Sequence, residues 1–440
     1  MDRRHWGLAA LMGGIHFTFH VFMRLLPAFI PILGLALSYP LWKLGMLVSA
    51  YLVGSTIGLL PMGMLSDRYD RRAILSAALG IVGIGYVFFA TAPMLGAGLP
   101  ILTVEGLTFD GTFLVMAGGM LVSGFGTSAH VPVGVPILTA NADPDDRGKL
   151  LGIWGGGSKF GDAVGPAVVG ILILVLGWQA ILFGFGLLGL ASAVGLYLVL
   201  GLSGFDTRPP GEPDDESAAA EWADLLADRR RYLYPMLALV GYFAAYSVVV
   251  QGAIAFVPAF ITDVYGYAFS LGPVAFGPES FADFALSVLL IGGGASRLVG
   301  GYLVDRYEHR TVLFWTLVIA AVAMFIFAVS SLGPILLLII LVIFGANLWG
   351  NSPARDSLVS DLGPAAREGR TFSYLWTASR GFGAVSPTII GYLGDTAGIR
   401  EGFTYLAVAT LVAAIFVAML FSERVYLADP APAGEAALDD

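Results

Sequence analysis

Twelve apolar stretches, each long enough to cross a bilayer, constrain this chain before any motif does. They cover residues 6–33, 43–65, 73–92, 112–139, 150–176, 178–202, 234–262, 281–303, 311–332, 334–358, 371–393 and 402–422. A helix closes its backbone hydrogen bonds within itself, which is what hydrocarbon demands of a spanning segment. Composition agrees: 57% of the 440 residues are hydrophobic and 12% are charged, about half the ordinary globular share. The expected fold is an all-α membrane protein, which disfavours soluble-enzyme, extracellular and nucleic-acid-binding readings. The lack of cysteine removes disulfides, thiolate metal sites and Cys nucleophiles, and five histidines argue against a buried transition-metal centre. No cofactor or metal is expected. Met1 to His5 runs directly into apolar sequence, so no cleavable signal peptide is read there.

An even number of spans places both termini on one side, and the Lys/Arg bias makes that side cytoplasmic. The cytoplasmic set includes Arg3, Arg4, Arg68, Arg71, Arg72, Arg229, Arg306, Arg310 and Arg355, whereas the opposite side holds Lys43 and Arg400, with Arg24 near its mouth. A monomeric, multi-pass protein of the inner (plasma) membrane is expected. The acidic interruption from Ser203 to Tyr232 divides the spans six and six. Residues 1–202 then form an N-terminal six-helix bundle and 203–233 a cytoplasmic linker with a short surface helix over 218–231. Residues 234–425 form a C-terminal bundle and 426–440 a disordered acidic tail.

The two halves repeat one another. Gly63-Met-Leu-Ser-Asp67-Arg68-Tyr-Asp-Arg71-Arg72 returns 238 residues later as Gly301-Tyr-Leu-Val-Asp305-Arg306-Tyr-Glu-His-Arg310, six of ten positions being identical. Ser158-Lys159 to Pro166 and Gly170 in the fifth span returns as Ser379-Arg380 to Pro387 and Gly391 in the eleventh, an offset of 221, and Pro27-Ala-Phe-Ile30 returns as Pro258-Ala-Phe-Ile261. The difference in offset places 17 extra residues in the first half, assigned to the Gly-rich stretch Met94 to Asp110 as an extracellular insertion. Two related bundles with a site near the midplane are what a transporter with parallel halves requires.

The loop Gly63–Arg72 and its echo resemble the signature loop of the major facilitator superfamily, with Asp70 and Glu308 in place of the usual loop glycine. The resemblance spans nearly the whole chain. It implies pseudo-symmetric six-helix bundles and transport by alternating access. More narrowly, His16-Phe17-x-x-His20 followed by Leu25-Leu26-Pro27-x-x-x-Pro31 is similar to the opening helix of fosmidomycin-resistance-type exporters, where an Asp stands at the position of His20. Gly161-x-x-x-Gly165-Pro166-x-x-x-Gly170 resembles a fifth-span motif of drug/proton antiporters.

Charge inside the spans carries the candidate chemistry. A cation near the bilayer centre costs about 2.5–3.5 kcal/mol on insertion scales, so Lys159 and Arg380 at repeat-related positions suggest a use. They suit a carboxylate, phosphate or phosphonate, Arg by a bidentate grip. The competing reading is a structural ion pair, which Asp162, one turn from Lys159, would supply. Asp162 itself is read either as a proton-coupling carboxylate that substrate displaces from Lys159, or as an inert packing partner. His16, His20 and Arg24 share one stripe of the first span. The histidines are candidates for proton relay or for packing, and Arg24 for steering anions. Repeat alignment sets Gln251 opposite His20, and His130 opposite Asn351, both of the latter expected to bond structurally. Arg297 is a candidate for substrate or gate. Asp67, Arg68, Arg71, Asp305 and Arg306 are gating candidates, Asp67 facing a helix N-terminus to latch the outward-facing state.

The function these readings imply is secondary active transport without ATP, since no phosphate-binding loop of Walker type occurs. The expected form is proton-coupled export of a small organic anion or anionic drug. Proton-coupled uptake of an organic anion is the alternative, and a transporter-like sensor or scaffold a more distant one. The partners are the small anionic substrate, protons and membrane lipid.

Overall fold

Fourteen helices over the described residues account for the twelve apolar stretches, because two of the stretches are broken. The structure is a computed structural model and describes residues 3–143, 146–209, 233–362, 368–423 and 425. The first half comprises α1 (Arg3–Leu37), α2 (Leu41–Arg68), α3 (Arg71–Gly96), α4 (Gly111–Thr127), α5 (His130–Ala140), α6 (Arg147–Leu172) and α7 (Trp178–Leu202). The second comprises α8 (Tyr234–Phe260), extended by a π-helical turn Ile261–Tyr265, then α9 (Pro278–Val304), α10 (His309–Val329), α11 (Pro334–Trp349), α12 (Ser352–Leu362), α13 (Glu368–Thr396) and α14 (Ile399–Met419). The expected linker helix over 218–231 and the acidic tail lie outside the described residues.

The breaks fall at the same place in both halves, between α4 and α5 and between α11 and α12. Pro132 and Pro353, 221 residues apart, follow them and lack the N–H that would close the preceding turn. Local donors compensate: Ser352 Oγ donates to the Trp349 carbonyl (2.7 Å) and His130 Nδ1 to the Thr127 carbonyl (2.5 Å).

Among the described residues, ten helical stretches are long and apolar enough to span a membrane by themselves. The two spans outside that set are α6 and α13, the repeat-related pair that carries Lys159, Asp162 and Arg380. Their lower apolarity comes from the charges they bring to the interior.

The stretch from Met94 to Asp110, expected as an insertion, folds as a β-hairpin. Its strands β1 (Leu102–Val104) and β2 (Leu107–Phe109) pair antiparallel across Glu105-Gly106, both with positive φ (50° and 82°). Two central residues with positive φ give the turn whose twist matches paired strands. The second half carries its own hairpin, β3 (Phe269–Leu271) with β4 (Val274–Phe276), although in a different connection. Among the described residues the fold is therefore all-α apart from these two short hairpins, which mark one end of the molecule; the start of α1 marks the other. At this terminal end Asp70 caps α3, accepting from Arg72 N–H (2.9 Å) and Thr207 Oγ1 (2.7 Å). That is the use to which the residue replacing loop glycine is put.

The halves meet along α2 against α13 and α6 against α9. At the hairpin end the contact is backbone on backbone: a Cβ at Gly45 of α2 would fall on the Pro387 carbonyl, and one at Gly391 of α13 on the Leu41 carbonyl. Small residues permit this approach between membrane helices.

Candidate functional site

Gly157, Gly161 and Gly165 form a smooth strip along α6 on which α1 lies. A Cβ at Gly161 would strike the Phe17 carbonyl and sit 3.0 Å from His20 Cβ. This close approach delivers three side chains of the α1 stripe to α6. Asp162, 1% exposed, accepts from His20 Nδ1 (2.9 Å) and Arg24 Nε (2.7 Å) at one oxygen and from Lys159 Nζ (2.7 Å) at the other. Charged hydrogen bonds of this length are strong, and a buried carboxylate requires them. With His20 neutral, the cluster holds one negative and two positive charges.

Arg24, expected near an outer mouth, is drawn into this network instead. Lys159 is paired with Asp162 while its stem packs on the second half, 3.1 Å from the position a Cβ would take at Gly294 of α9. His16 Nδ1 donates to the Trp154 carbonyl (2.8 Å), and its ring stacks on Trp154 with centroids 3.9 Å apart. His130 joins His16 and His20, with ring centroids 5.4 and 5.6 Å away. The sequence places His130 only in a hydrogen-bonding role, and the cluster adds a second.

The second half keeps the positions but changes the charge. Gln251 of α8 lies against Gly383 of α13, as His20 lies against Asp162, and Gly383 stands 221 residues after Asp162. Arg380 therefore has no carboxylate one turn away, and among the described residues it forms no ion pair. Arg297 of α9 is likewise without an ion pair among the described residues, and its buried Nε has no hydrogen-bond partner. Arg355, counted among the loop cations, is in fact buried on α12. It pairs with Asp356 (2.8 Å) and lies over the Trp376 ring (4.7 Å).

The gating candidates lie at the terminal end, away from this centre. Asp67, Arg68, Asp305 and Arg306 are exposed, and Asp67 has no ion pair among the described residues. Arg306 lies over the Tyr302 ring, and Arg71 is buried, tying α3 to the end of α2 through Ser66. The carboxylate that faces a helix N-terminus across the interface is a different one, at the hairpin end. Asp395 of α13 accepts from Leu41 N–H (3.0 Å) and Trp42 N–H (2.8 Å), the free amides that begin α2. Ser49 and Thr388 hydroxyls join the same helices (2.8 Å). At the α6–α9 contact, Asp283 of α9 is fully buried beside Gly170 of α6, and among the described residues neither of its oxygens has a hydrogen-bond partner. Sequence reading overlooked both acids because each sits at the edge of a span, where an exposed charge is ordinary.

Two helical bundles closed at one end around a charged interior define the class, a polytopic membrane transporter. The family model described as Major Facilitator Superfamily matches residues 12–282 and 273–438, and the chain belongs to that superfamily. A probable L-galactonate transporter of Escherichia coli is 25% identical over 276 residues, 60% of this chain and 53% of that one, so the match spans about half the relative's length. The 4-hydroxybenzoate transporter PcaK of Pseudomonas aeruginosa is 26% identical over 367 residues, 79% of this chain and 77% of that one. In fold, the chain is similar to a bacterial homologue of the human lysosomal transporter Spinster in an inward-facing, occupied conformation. The TM-score is 0.77 at 16% identity, over 97% of this chain and 98% of that one.

Proposed function

We propose that the protein is a proton-coupled secondary transporter that exports a small organic anion by alternating access. The observation that carries the sign of the substrate is Arg380, a cation whose repeat-related counterpart has Asp162 and which has no carboxylate partner among the described residues. Lys159, Arg24 and Arg297 add positive charge, so the interior attracts an anion. The names of the two relatives, one a sugar-acid and one a hydroxybenzoate transporter, support this class. Export is the direction that a resemblance of the first span to fosmidomycin-resistance-type exporters would imply, and it is proposed on that basis.

On the positive-inside reading the hairpin end faces outward, and the conformation is inward-facing with its outer gate shut by Asp395 and the α2–α13 contact. Asp67, Arg68, Asp305 and Arg306 then belong to the latch of the opposite state, which accounts for their exposure here. Sequence reading gives proton coupling to Asp162, His16 and His20. Asp162 is clasped by two permanent cations, which favours an ionised anchor. We give the pH-sensitive step to Asp283. An ionised carboxylate buried without a partner is costly, so closing the outer gate takes up a proton there. Glu279, four residues earlier on α9, shares its face of the helix and adds a like charge.

Proteoliposomes loaded with labelled anion test the reading. An imposed pH gradient should drive movement of galactonate or 4-hydroxybenzoate as probes, and Arg380→Glu should abolish it. Transport insensitive to the gradient removes the coupling, and transport insensitive to Arg380→Glu removes the anion site.

A further inference from the structure

His16 and His20 of α1 and His130 of α5 are all buried, and each offers a ring nitrogen within 4.8 Å of the others. Each ring also has an oxygen partner at Nδ1. Nδ1 of His16 faces the Trp154 carbonyl (2.8 Å), Nδ1 of His20 the Asp162 carboxylate (2.9 Å) and Nδ1 of His130 the Thr127 carbonyl (2.5 Å). Each of those partners is an acceptor only, so each Nδ1 carries the proton. In the neutral ring Nε2 is then a bare lone pair. Three imidazoles thus share one tautomer, set by two oxygen partners on α6 and one at the end of α4.

Packing by itself does not require this arrangement. Buried histidines satisfied by a carbonyl can turn their other edge anywhere, and neutral Nε2 atoms gain nothing from facing one another. A divalent ion gains from it directly. Histidine ligands characteristically donate the other ring N–H to a carbonyl or carboxylate, which fixes the ring and raises its basicity, and the His20–Asp162 pair is the carboxylate form of that arrangement. We propose that His16, His20 and His130 form a binding site for a borderline divalent transition metal of the zinc, cobalt or nickel type, held through three Nε2 atoms.

Three imidazoles suit such ions, whose metal–nitrogen distance is about 2.0–2.1 Å, and they leave a fourth position for a non-protein ligand. The nitrogens need to draw together from their present spacing. Lys159 and Arg24 hold the same carboxylate as His20, so the fourth ligand that fits best is an anion, which offsets the accumulated positive charge. The count of five histidines argued against a metal only while they were scattered in sequence. Three of the five converge. This proposal is independent of the transport reading and stands if the substrate is not an anion.

The test uses the full chain, tag-free and stripped of metal, titrated with Co2+ alone in detergent. The absence of cysteine leaves no thiolate to compete. Expected are one equivalent bound, the visible absorption of four-coordinate cobalt, and displacement by Zn2+. His16→Gln and His130→Gln should each weaken binding at least about 10-fold, and Asp162→Asn should weaken it while leaving the stoichiometry at one. Zn2+ should also raise the melting temperature of the wild type and of His309→Gln, a histidine outside the cluster, but not of His130→Gln. No stoichiometric cobalt binding by the wild type, or binding unchanged in a His16→Gln/His130→Gln double variant, overturns the site.

Discussion

Removing the Asp395 carboxylate should open the hairpin end by a calculable amount. Asp395 accepts two backbone N–H bonds, of 3.0 and 2.8 Å, from the first turn of α2 in the other bundle. Hydrogen bonds to a charged group contribute roughly 1.5–3 kcal/mol each when shielded. Asp395 is exposed and water replaces it in part, so about 1–2 kcal/mol for the pair, including the helix-terminus interaction, is a reasonable magnitude. Since the bonds exist only while the hairpin end is closed, Asp395→Ala should raise the ratio of open to closed populations about 5–30-fold. Asp395→Asn, which keeps one acceptor, should fall between. The cysteine-free chain accepts paired spin labels without background. Met94→Cys and Tyr405→Cys, both exposed and in different bundles, place them at the hairpin end. Double electron–electron resonance should then show a longer-distance population growing in Asp395→Ala. Superimposable distance distributions for wild type and variant would refute the assignment of Asp395 as a latch.

The other predictions address one group each. Asp67→Ala should slow transport severely at near-normal expression, and wild-type rates would remove Asp67 from the opposite latch. Asp162→Asn leaves Lys159 and Arg24 uncompensated and should destabilise the protein by about 3–5 kcal/mol, read as a lowered unfolding midpoint in denaturant; an unchanged midpoint would mean that the cluster is not a structural anchor. For Asp283, raising the pH should favour the open hairpin end in the wild type, whereas Asp283→Asn should give spin-label distances that do not respond to pH; a full pH response in the variant would place the step elsewhere. At Asp110, burial opposes ionisation, but hydrogen bonds from Tyr39 OH (2.6 Å) and Phe113 N–H (3.0 Å), with Lys43 nearby, hold the carboxyl below its usual range. A carboxyl depressed by folding contributes stability above its unfolded pKa of about 3.9 and loses it as pH falls through the folded value. Asp110→Ala should flatten that acid-side decline in unfolding midpoint, and an identical decline in the variant would contradict it.

Much of the architecture was legible because membrane helices carry their signal locally. The spans read as 178–202 and 234–262 correspond closely to Trp178–Leu202 and Tyr234–Phe260. The repeat placed Lys159 and Arg380 at matching depths, and helical spacing put His16, His20 and Arg24 on one stripe. What escaped depended on contacts between segments remote in sequence. Asp395 meets Leu41 across 354 residues, and nothing near Asp395 signals that it caps another helix. His130 reaches the α1 histidines only because α4 ends at Thr127 and the chain restarts as α5. The second halves of the fourth and tenth spans were read as continuous since Pro is tolerated in membrane helices, and the paired prolines were the available warning. Glu105-Gly106 was a hairpin turn signal hidden by the brevity of its strands. Arg24 keeps its place on the α1 stripe, and its bond to Asp162 sets it in the buried network rather than at an outer mouth.

The central claim, an interior built to hold an anion, is tested most directly by ligand-dependent stabilisation of the purified protein. The wild type should gain melting temperature with galactonate or 4-hydroxybenzoate and none with organic cations of similar size, by mass action on the folded state. Arg380→Lys should weaken the gain by losing the bidentate grip, and Arg380→Glu should abolish it. Stabilisation of the wild type by a cation, unchanged in Arg380→Glu, would contradict the account.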